Sequence, residues 1–334
     1  MKEINENTYL LNPITISMVG PRGVGKTSLL ASMYSQLQEI GAGFATGDAF
    51  DDGRTQEKLE IAHGKLIKLA MGRSIRTDKS VGIPAGVEKD EYWFQAVTQV
   101  DAFYGRKVFV LPFHFVDFPG GWFTKAGPGR KAVKECLGSS LLSYLAVDAP
   151  AVMAEDDIHN EHNMPMSIQS LYEDSRGDLA GHAVILTLIR GEKFIHEGRQ
   201  KELVEKTRKR YRGLARALKN ADIQLVGTII ETVGGVHFRN FEEDQNTGYM
   251  VHEFINTGEG YKPKNCQVPL QLGLARSSIL LNQYFDNEKW DGLAGGLAKL
   301  FGGNNEAYAA RACEQITSGI FSSTELPDDS IFDF

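Results

Sequence analysis

The segment from residue 20 to residue 28, GPRGVGKTS, has the residue types and the spacing of a loop that holds phosphate. The pattern Gly-x-x-x-x-Gly-Lys-Ser/Thr is satisfied by Gly20, Gly25, Lys26 and Thr27. Glycines let consecutive backbone N–H groups turn toward an anion, and a helix that starts there adds the positive end of its dipole. The lysine of such a loop reaches the terminal phosphates of a nucleotide, and the next hydroxyl can bind Mg²⁺. The pattern therefore predicts phosphate binding by Gly20, Gly23, Val24, Gly25, Lys26, Thr27 and Ser28.

A carboxylate that can complete a metal site stands at the end of a later apolar run. The run VFVLPFHFVD ends in Asp117, and Gly120 follows in an Asp-x-x-Gly pattern. A phosphate loop needs a carboxylate that holds Mg²⁺ through water, and we expect it at the end of a neighbouring strand. The N–H of Gly120 can turn onto the last phosphate, which makes the following loop sensitive to that phosphate. A simple strand-ending turn is the alternative, because Pro-Gly pairs are common in turns.

The phosphate loop requires a strand before it and a helix after it, and the sequence predicts both. Residues 13–20 alternate and then become apolar, as strands do, and residues 26–40 carry apolar side chains at helical spacing. Further helices are predicted at 54–70 and 199–220, and further strands at 91–100, 107–121, 182–194, 221–235 and the start of 141–153. Strands that alternate with helices predict an α/β fold with a mostly parallel sheet covered on both faces.

Two details concern the edges of this fold. The strands at 91–100 and 107–121 are predicted to be antiparallel neighbours, and Pro112 favours an edge or a bulge in the second of them. After about residue 240 the pattern changes, so we expect one domain over 1–245 and a helical extension with an acidic tail over 246–334. The tail STELPDDSIFDF is expected to be either loose or docked.

The composition excludes several classes of protein. The 334 residues are 42% apolar and 24% charged, which is ordinary for a globular protein with a large core. The net charge of −7 gives no indication of nucleic-acid binding, and no apolar run is long enough to cross a membrane. Three widely separated cysteines form no metal or disulfide pattern. We expect a cytoplasmic protein.

Taken together, GPRGVGKTS and VDFPGG resemble the P-loop GTPases of the translation-factor and Ras-like class. The order of elements is also similar: a strand and helix around the loop, a variable stretch, two antiparallel strands, then Asp-x-x-Gly. The resemblance covers residues 12–240 and is to divergent prokaryotic members of the class. It implies a three-layer P-loop NTPase sandwich that binds GTP and Mg²⁺ and acts as a switch through protein partners.

The resemblance implies a role for each matching residue. Lys26 would bind the β- and γ-phosphates, Thr27 and Asp117 the magnesium, and Gly120 the γ-phosphate. The class also uses a switch threonine between its first helix and its second strand. Thr77 is the first candidate for that threonine, and the others are Thr55, Thr46 and Ser80.

The base-reading motif of the class is Asn/Thr-Lys-x-Asp, and LIRGEKF at residues 188–194 departs from it. Glu192 could still accept hydrogen bonds from guanine, and Arg190 could stack on the base. Thr232 and Val233 lie where the class places a loop that touches the base through backbone N–H groups. These residues favour GTP over ATP, although solvated surface charge is the alternative for Glu192.

Many members of the class have a glutamine after the Asp-x-x-Gly glycine, where it orients the attacking water. Here that position is Gly121, which has no side chain for the task. We therefore expect slow intrinsic hydrolysis, with Lys26, Arg22 and Thr77 as the candidate catalytic residues, or a partner that supplies the missing group. An ATPase or phosphotransferase, and a scaffold that binds nucleotide without hydrolysis, are the alternative functions.

Two weaker patterns favour ordinary surface structure. His159 and His162 stand near Asp156 and Asp157, but a polar loop is favoured over a metal site there. The basic residues of the predicted helix at 199–220 are interpreted as solvated charge, with a docking face as the alternative.

Overall fold

The computed structural model describes residues 2–5, 8–39, 44–46, 53–72, 74–76, 88–102, 105–123, 127–179, 182–243, 250–273, 315 and 330–334. The strands are β1 (Lys2–Asn5), β2 (Thr8–Leu10), β3 (Ile14–Val19), β4 (Phe44–Thr46), β5 (Ser74–Arg76), β6 (Asp90–Ala102), β7 (Gly105–Asp117), β8 (Leu142–Asp148), β9 (Ala183–Ile189), β10 (Gln224–Ile229), β11 (Gly234–Glu243), β12 (Met250–Tyr261) and β13 (Ile331–Asp333). The helices are α1 (Lys26–Glu39), α2 (Arg54–Met71), α3 (Pro128–Ser139), α4 (Ala149–Met153), α5 (Asp156–Asn163), α6 (Pro165–Ser175), α7 (Glu192–His196), α8 (Gln200–Arg210) and α9 (Arg212–Lys219).

The central sheet has β3, the strand before the phosphate loop, near its middle. Its order is β4–β6–β7–β3–β8–β9–β10–β13, and β2, with β1 beside it, also pairs with β7. The strands from β7 to β10 are parallel, whereas β6 is antiparallel to β7 and β13 is antiparallel to β10. Strand β7 lies on one side of β3, and the next strand in the chain, β8, lies on the other. Ligands of open α/β sheets bind where the strand order reverses in this way, beyond the carboxyl ends of the strands.

Strand β7 is an interior strand despite Pro112. β6 pairs along one edge of β7, so β2 and β3 follow one another along the opposite edge. The carbonyl of Val110 accepts the N–H of Leu11 at that second edge. Pro112 lies two residues after Val110, so the side on which it lacks an N–H faces the same edge. At that edge, residues 11–13 interrupt the neighbouring strand, so no hydrogen-bond partner is lost there. The expected edge or bulge is instead a break between β2 and β3.

Helices cover both faces of the central sheet. Every residue of β8 and β9 is buried, as is typical of parallel strands enclosed on two sides. Along β8, Tyr144 and Ala146 belong to a core that includes α1 and α2. Leu145 and Val147 alternate with them and belong to a second core with α3, α6, α8 and α9. The predicted α/β class with a mostly parallel sheet is thus confirmed.

A second, smaller sheet has the order β11–β12–β5. β11 and β12 form an antiparallel hairpin across residue 245, where the sequence predicts a domain boundary. Residues 250–261 are thus β-structure rather than part of a helical extension. Residues 268–273 are helical, as expected for part of the extension, and residues 274–329 lie outside the described residues except for residue 315.

The predicted helix at 199–220 is two helices that meet at the buried Tyr211. Several of its cations bond within the chain rather than facing only solvent. Lys206 donates to the carbonyl of Met153 at 3.2 Å, and Arg210 donates to that of Ala154 at 2.8 Å. This surface therefore holds neighbouring elements together.

Candidate functional site

The phosphate loop lies between β3 and α1, at the carboxyl end of the central sheet. Gly20, Gly23 and Gly25 have φ angles of +155°, +77° and +106°, a region that glycine adopts without steric cost. A Cβ added to Gly20 would lie 2.7 Å from the carbonyl oxygen of Ala146 on β8. The glycine spacing in the sequence therefore corresponds to backbone turns and to close packing against the neighbouring strand.

Lys26 lies inside this loop. Its ammonium donates to the carbonyls of Gly20 at 3.0 Å and Pro21 at 3.3 Å. Lys26 Nζ is also 3.5 Å from Asp117 Oδ1, and both side chains are about one-tenth exposed or less. The lysine thus folds back over the loop, with its charge close to the carboxylate at the end of β7.

Thr27 and Asp117 meet because their strands are neighbours. Met18 on β3 pairs with Asp117 on β7, so the carboxylate lies beside the start of α1. Thr27 Oγ1 donates to Asp117 Oδ2 at 3.0 Å. Burial raises the pKa of Asp117, while the charge of Lys26 and the hydroxyl of Thr27 act in the opposite direction. The two predicted metal ligands are therefore adjacent.

Tyr92 is a further member of this group that the sequence did not indicate. It lies on β6, two residues after Asp90, which pairs with Asp117. Burial raises the pKa of its phenol, while the nearby hydroxyl of Thr27 acts in the opposite direction. Only the strand pairing places Tyr92 here, so no local pattern could have found it.

The donor set fits Mg²⁺ held jointly by protein and phosphate. Asp117 Oδ1 is buried and accepts no hydrogen bond from the described residues. One carboxylate and one hydroxyl are oxygen ligands that Mg²⁺ prefers, and this metal usually completes its shell with water and phosphate. Within the described part of the chain, no group of three His, Cys, Asp or Glu side chains could hold a metal by itself.

Gly120 lies against the phosphate loop. It begins a 3₁₀ turn over Gly120–Phe123, and an added Cβ would overlap the backbone of Pro21 and Arg22. Gly121 is exposed, and a Cβ added there would meet no atom within 4 Å. The Asp-x-x-Gly segment thus contacts the loop through a position that only glycine can occupy.

Arg190 lies on the other side of the loop, at the end of β9. Its Nη1 donates to Asp148 Oδ1 at 2.8 Å, and its Nη2 donates to the carbonyl of Gly23. Asp148 ends β8 and its side chain is fully buried. Asp148 was not among the predicted site residues, although it ends an apolar run just as Asp117 does.

The predicted base-reading residues are brought together at the start of α7. Glu192 Oε1 accepts the N–H of Val233 at 3.1 Å and lies 3.4 Å from Thr232 Oγ1. Glu192 is only 3% exposed, and burial raises the pKa of its carboxyl. The carboxylate is thus one wall of the loop at 232–233, and in this arrangement the N–H of Val233 points to Glu192.

The remaining predicted residues divide into three groups. Arg22 is exposed on the phosphate loop, Val24 is buried beneath it and Ser28 is half-buried in the first turn of α1. Thr55 is buried and its hydroxyl accepts the N–H of Trp93 at 2.8 Å, which is a structural role. Thr46 is also buried, on β4, whereas Thr77 and Ser80 lie outside the described residues.

His159 and His162 lie on helix α5, which follows the end of β8. His162 Nε2 lies 3.5 Å from Asp148 Oδ2, and His159 Nδ1 is 3.2 Å from the side-chain nitrogen of Asn163. Burial lowers the pKa of His159 to about 4. These side chains belong to a buried polar network on a helix, so the polar loop that the sequence favoured there is wrong.

Neither protein-family models nor curated protein sequences match the chain. None of the helices in the described part of the chain combines the length and the apolar character needed to cross a bilayer.

Proposed function

We propose that this protein is a P-loop switch that binds GTP with Mg²⁺, hydrolyses it slowly and acts through protein partners. The observation that carries the proposal is the meeting of Thr27 and Asp117 at 3.0 Å, with Lys26 Nζ 3.5 Å from the same carboxylate. A lysine, a hydroxyl and a strand-end carboxylate on adjacent parallel strands are the groups that phosphate and Mg²⁺ require together. The sheet order and the glycine conformations support the same ligand.

Different groups of the protein would bind the phosphates, the magnesium and the base. The backbone N–H groups of the loop and the start of α1 hold the phosphates, and Lys26 moves from the loop carbonyls onto them. Thr27 and Asp117 hold Mg²⁺, which neutralises phosphate charge when bound. Glu192 supplies the acceptor that distinguishes guanine from adenine.

The switch involves the segment after Asp117. Gly120 touches Pro21 and Arg22, so a phosphate at the loop must displace or fix this turn. Trp122, two residues on, packs closely on Gly129 of α3, where an added Cβ would lie 2.6 Å from the indole. A shift at Gly120 is thus passed to α3, whose surface is available to a partner.

Slow hydrolysis follows from Gly121. No side chain stands at this position to orient water, and the exposed Arg22 is the nearest cation of the loop besides Lys26. A partner that inserts a polar group would accelerate the reaction, by about 10³–10⁵-fold if the group is an arginine. Rapid release of γ-phosphate by the purified protein in a single-turnover assay is the result that contradicts this expectation.

Binding itself is tested by titration calorimetry with GTP and with ATP in the presence of Mg²⁺. We expect tighter binding of GTP, and loss of both ligands in Lys26→Ala because the loop loses its phosphate-binding cation. Lys219→Ala removes an exposed lysine of α9 and serves as the matched control. Circular dichroism verifies that each variant is folded. Unchanged binding in Lys26→Ala would refute the proposed site, and preference for ATP would favour an ATPase or phosphotransferase.

A further inference from the structure

The Arg190 side chain connects three elements around the phosphate loop. Its guanidinium bonds the carbonyl of Gly23 in the loop and the carboxylate of Asp148 at the end of β8. The same guanidinium lies 5.8 Å from the ring centre of Phe254 on β12 of the second sheet. An arginine offers five donors in a planar fork, so one side chain can hold several partners at fixed angles.

The backbone of Arg190 is itself unusual. Its φ angle is +65°, a region that arginine rarely adopts. Such a conformation persists where the surroundings fix it. Here the fully buried carboxylate of Asp148 accepts a hydrogen bond from Arg190 Nη1 at 2.8 Å, which anchors the guanidinium beside the loop.

The bond to Gly23 has a direct effect on the loop. The C=O of one residue and the N–H of the next lie in one planar peptide unit and point in opposite directions. When Arg190 holds the carbonyl of Gly23, the N–H of Val24 must point away from Arg190. An anion-binding loop needs backbone N–H groups that point toward the anion, and the carbonyl of each preceding residue then points outward. The positive charge of Arg190 also lies close to the phosphates that such a loop holds.

We infer that Arg190, fixed by Asp148, is a positioning residue of the phosphate loop and not a base-stacking residue. The inference rests on the proposed function for the identity of the ligand, a nucleoside di- or triphosphate. Because Arg190 reaches the loop at Gly23, and Asp117 and Gly120 lie on its opposite side, its effect falls on the di- and triphosphate alike. It acts on the phosphates and is independent of the base.

The test uses Arg190→Asn, since asparagine tolerates a positive φ but lacks the guanidinium. GTP, GDP and tripolyphosphate are titrated with Mg²⁺ into the wild-type protein and the variant. We expect affinity for all three to fall by the same factor, about tenfold, as for loss of a charged hydrogen bond. The preference for GTP over ATP should not change. Arg210→Asn, which removes a similarly buried, ion-paired arginine of α8, is the matched control.

Asp148→Asn provides the second variant. If Asp148 acts through Arg190, it weakens binding in the wild-type background but adds little to Arg190→Asn. A variant Arg190→Asn that loses affinity for GTP and GDP but keeps it for tripolyphosphate indicates base stacking and overturns the inference, while the proposed function stands. A wild-type protein that binds neither nucleotide nor tripolyphosphate overturns both.

Discussion

Glu192 has a structural role in the protein and a second, base-reading role in the proposed function. It holds the N–H of Val233 at 3.1 Å, and in the proposed function it also accepts hydrogen bonds from guanine. The two are compatible because a carboxylate has about four acceptor positions. A purely structural role would make Glu192 a support for the loop at 232–233 and leave the choice of base to other groups.

The variant Glu192→Gln separates these roles, because an amide oxygen can still accept from Val233 while the negative charge is lost. We expect GTP affinity to fall about tenfold or more, the effect of losing a charged hydrogen bond, with little change for ATP. Calorimetry with both nucleotides measures the ratio. Glu197→Gln, at the exposed residue just after the same helix, is the control. Equal losses for GTP and ATP would assign Glu192 a structural role only.

The meeting of Lys26, Thr27 and Asp117 was predictable from the sequence, because the loop pattern is local and each strand end is marked by an apolar run. The pairs Asp148–Arg190 and Tyr92–Thr27 were not. Each depends on which strands are neighbours and on side-chain direction, neither of which a residue pattern contains. The sequence could not single out one switch threonine, because a threonine in a loop has no distinguishing neighbours.

At the level of elements, the strands of the central sheet were largely predictable and the hairpin β11–β12 was not. Buried parallel strands appear as continuous apolar runs, which are easy to identify. The hairpin belongs to the separate, smaller sheet, and its register shifts between Gly234 and Val236 and again between Phe238 and Asn240. Such bulges break the alternation of apolar and polar residues by which strands are recognised. The second sheet begins at Gly234, before the change of pattern that the sequence shows after residue 240.

The strand β13 closes one edge of the central sheet. Gly227 on β10 pairs with Phe332, and an added Cβ on Gly227 would overlap the phenyl ring. The ring is 7% exposed, and the guanidinium of Arg208 lies 5.8 Å from its centre. Docking of the acidic tail therefore depends on one buried aromatic side chain and on a glycine that makes room for it.

We expect Phe332→Ala to lower the free energy of unfolding by roughly 3 kcal/mol, as for other buried phenylalanines. Urea denaturation measures the difference. Asp333→Ala is the control, because its side chain is exposed and Arg208 bonds the backbone carbonyl, which the substitution keeps. Similar values for the two variants would show that the tail adds no stability to the sheet.

At the scale of the whole molecule, stability should depend on pH through buried histidines. His182 is 3% exposed, with one ring nitrogen 2.9 Å from the carbonyl oxygen of Ser140 and the other 3.0 Å from the hydroxyl of Ser143. Burial lowers its pKa to about 4, and that of His159 to about 4 as well. Both side chains are neutral in the folded protein at neutral pH.

In the unfolded chain both histidines have a pKa of about 6.5, so the unfolded state binds more protons between pH 6.5 and pH 4. The folded state is therefore most stable above pH 6.5 and loses stability as the pH falls through this window. The loss for His182 approaches about 1.4 kcal/mol per pH unit. Urea denaturation at about pH 7 and about pH 5 measures it. His182→Gln should reduce the pH dependence of the free energy of unfolding, because glutamine cannot take up a proton. This change is separate from any loss of stability that the substitution causes at neutral pH. An equal cost of the substitution at both pH values would mean that His182 does not titrate between the two states.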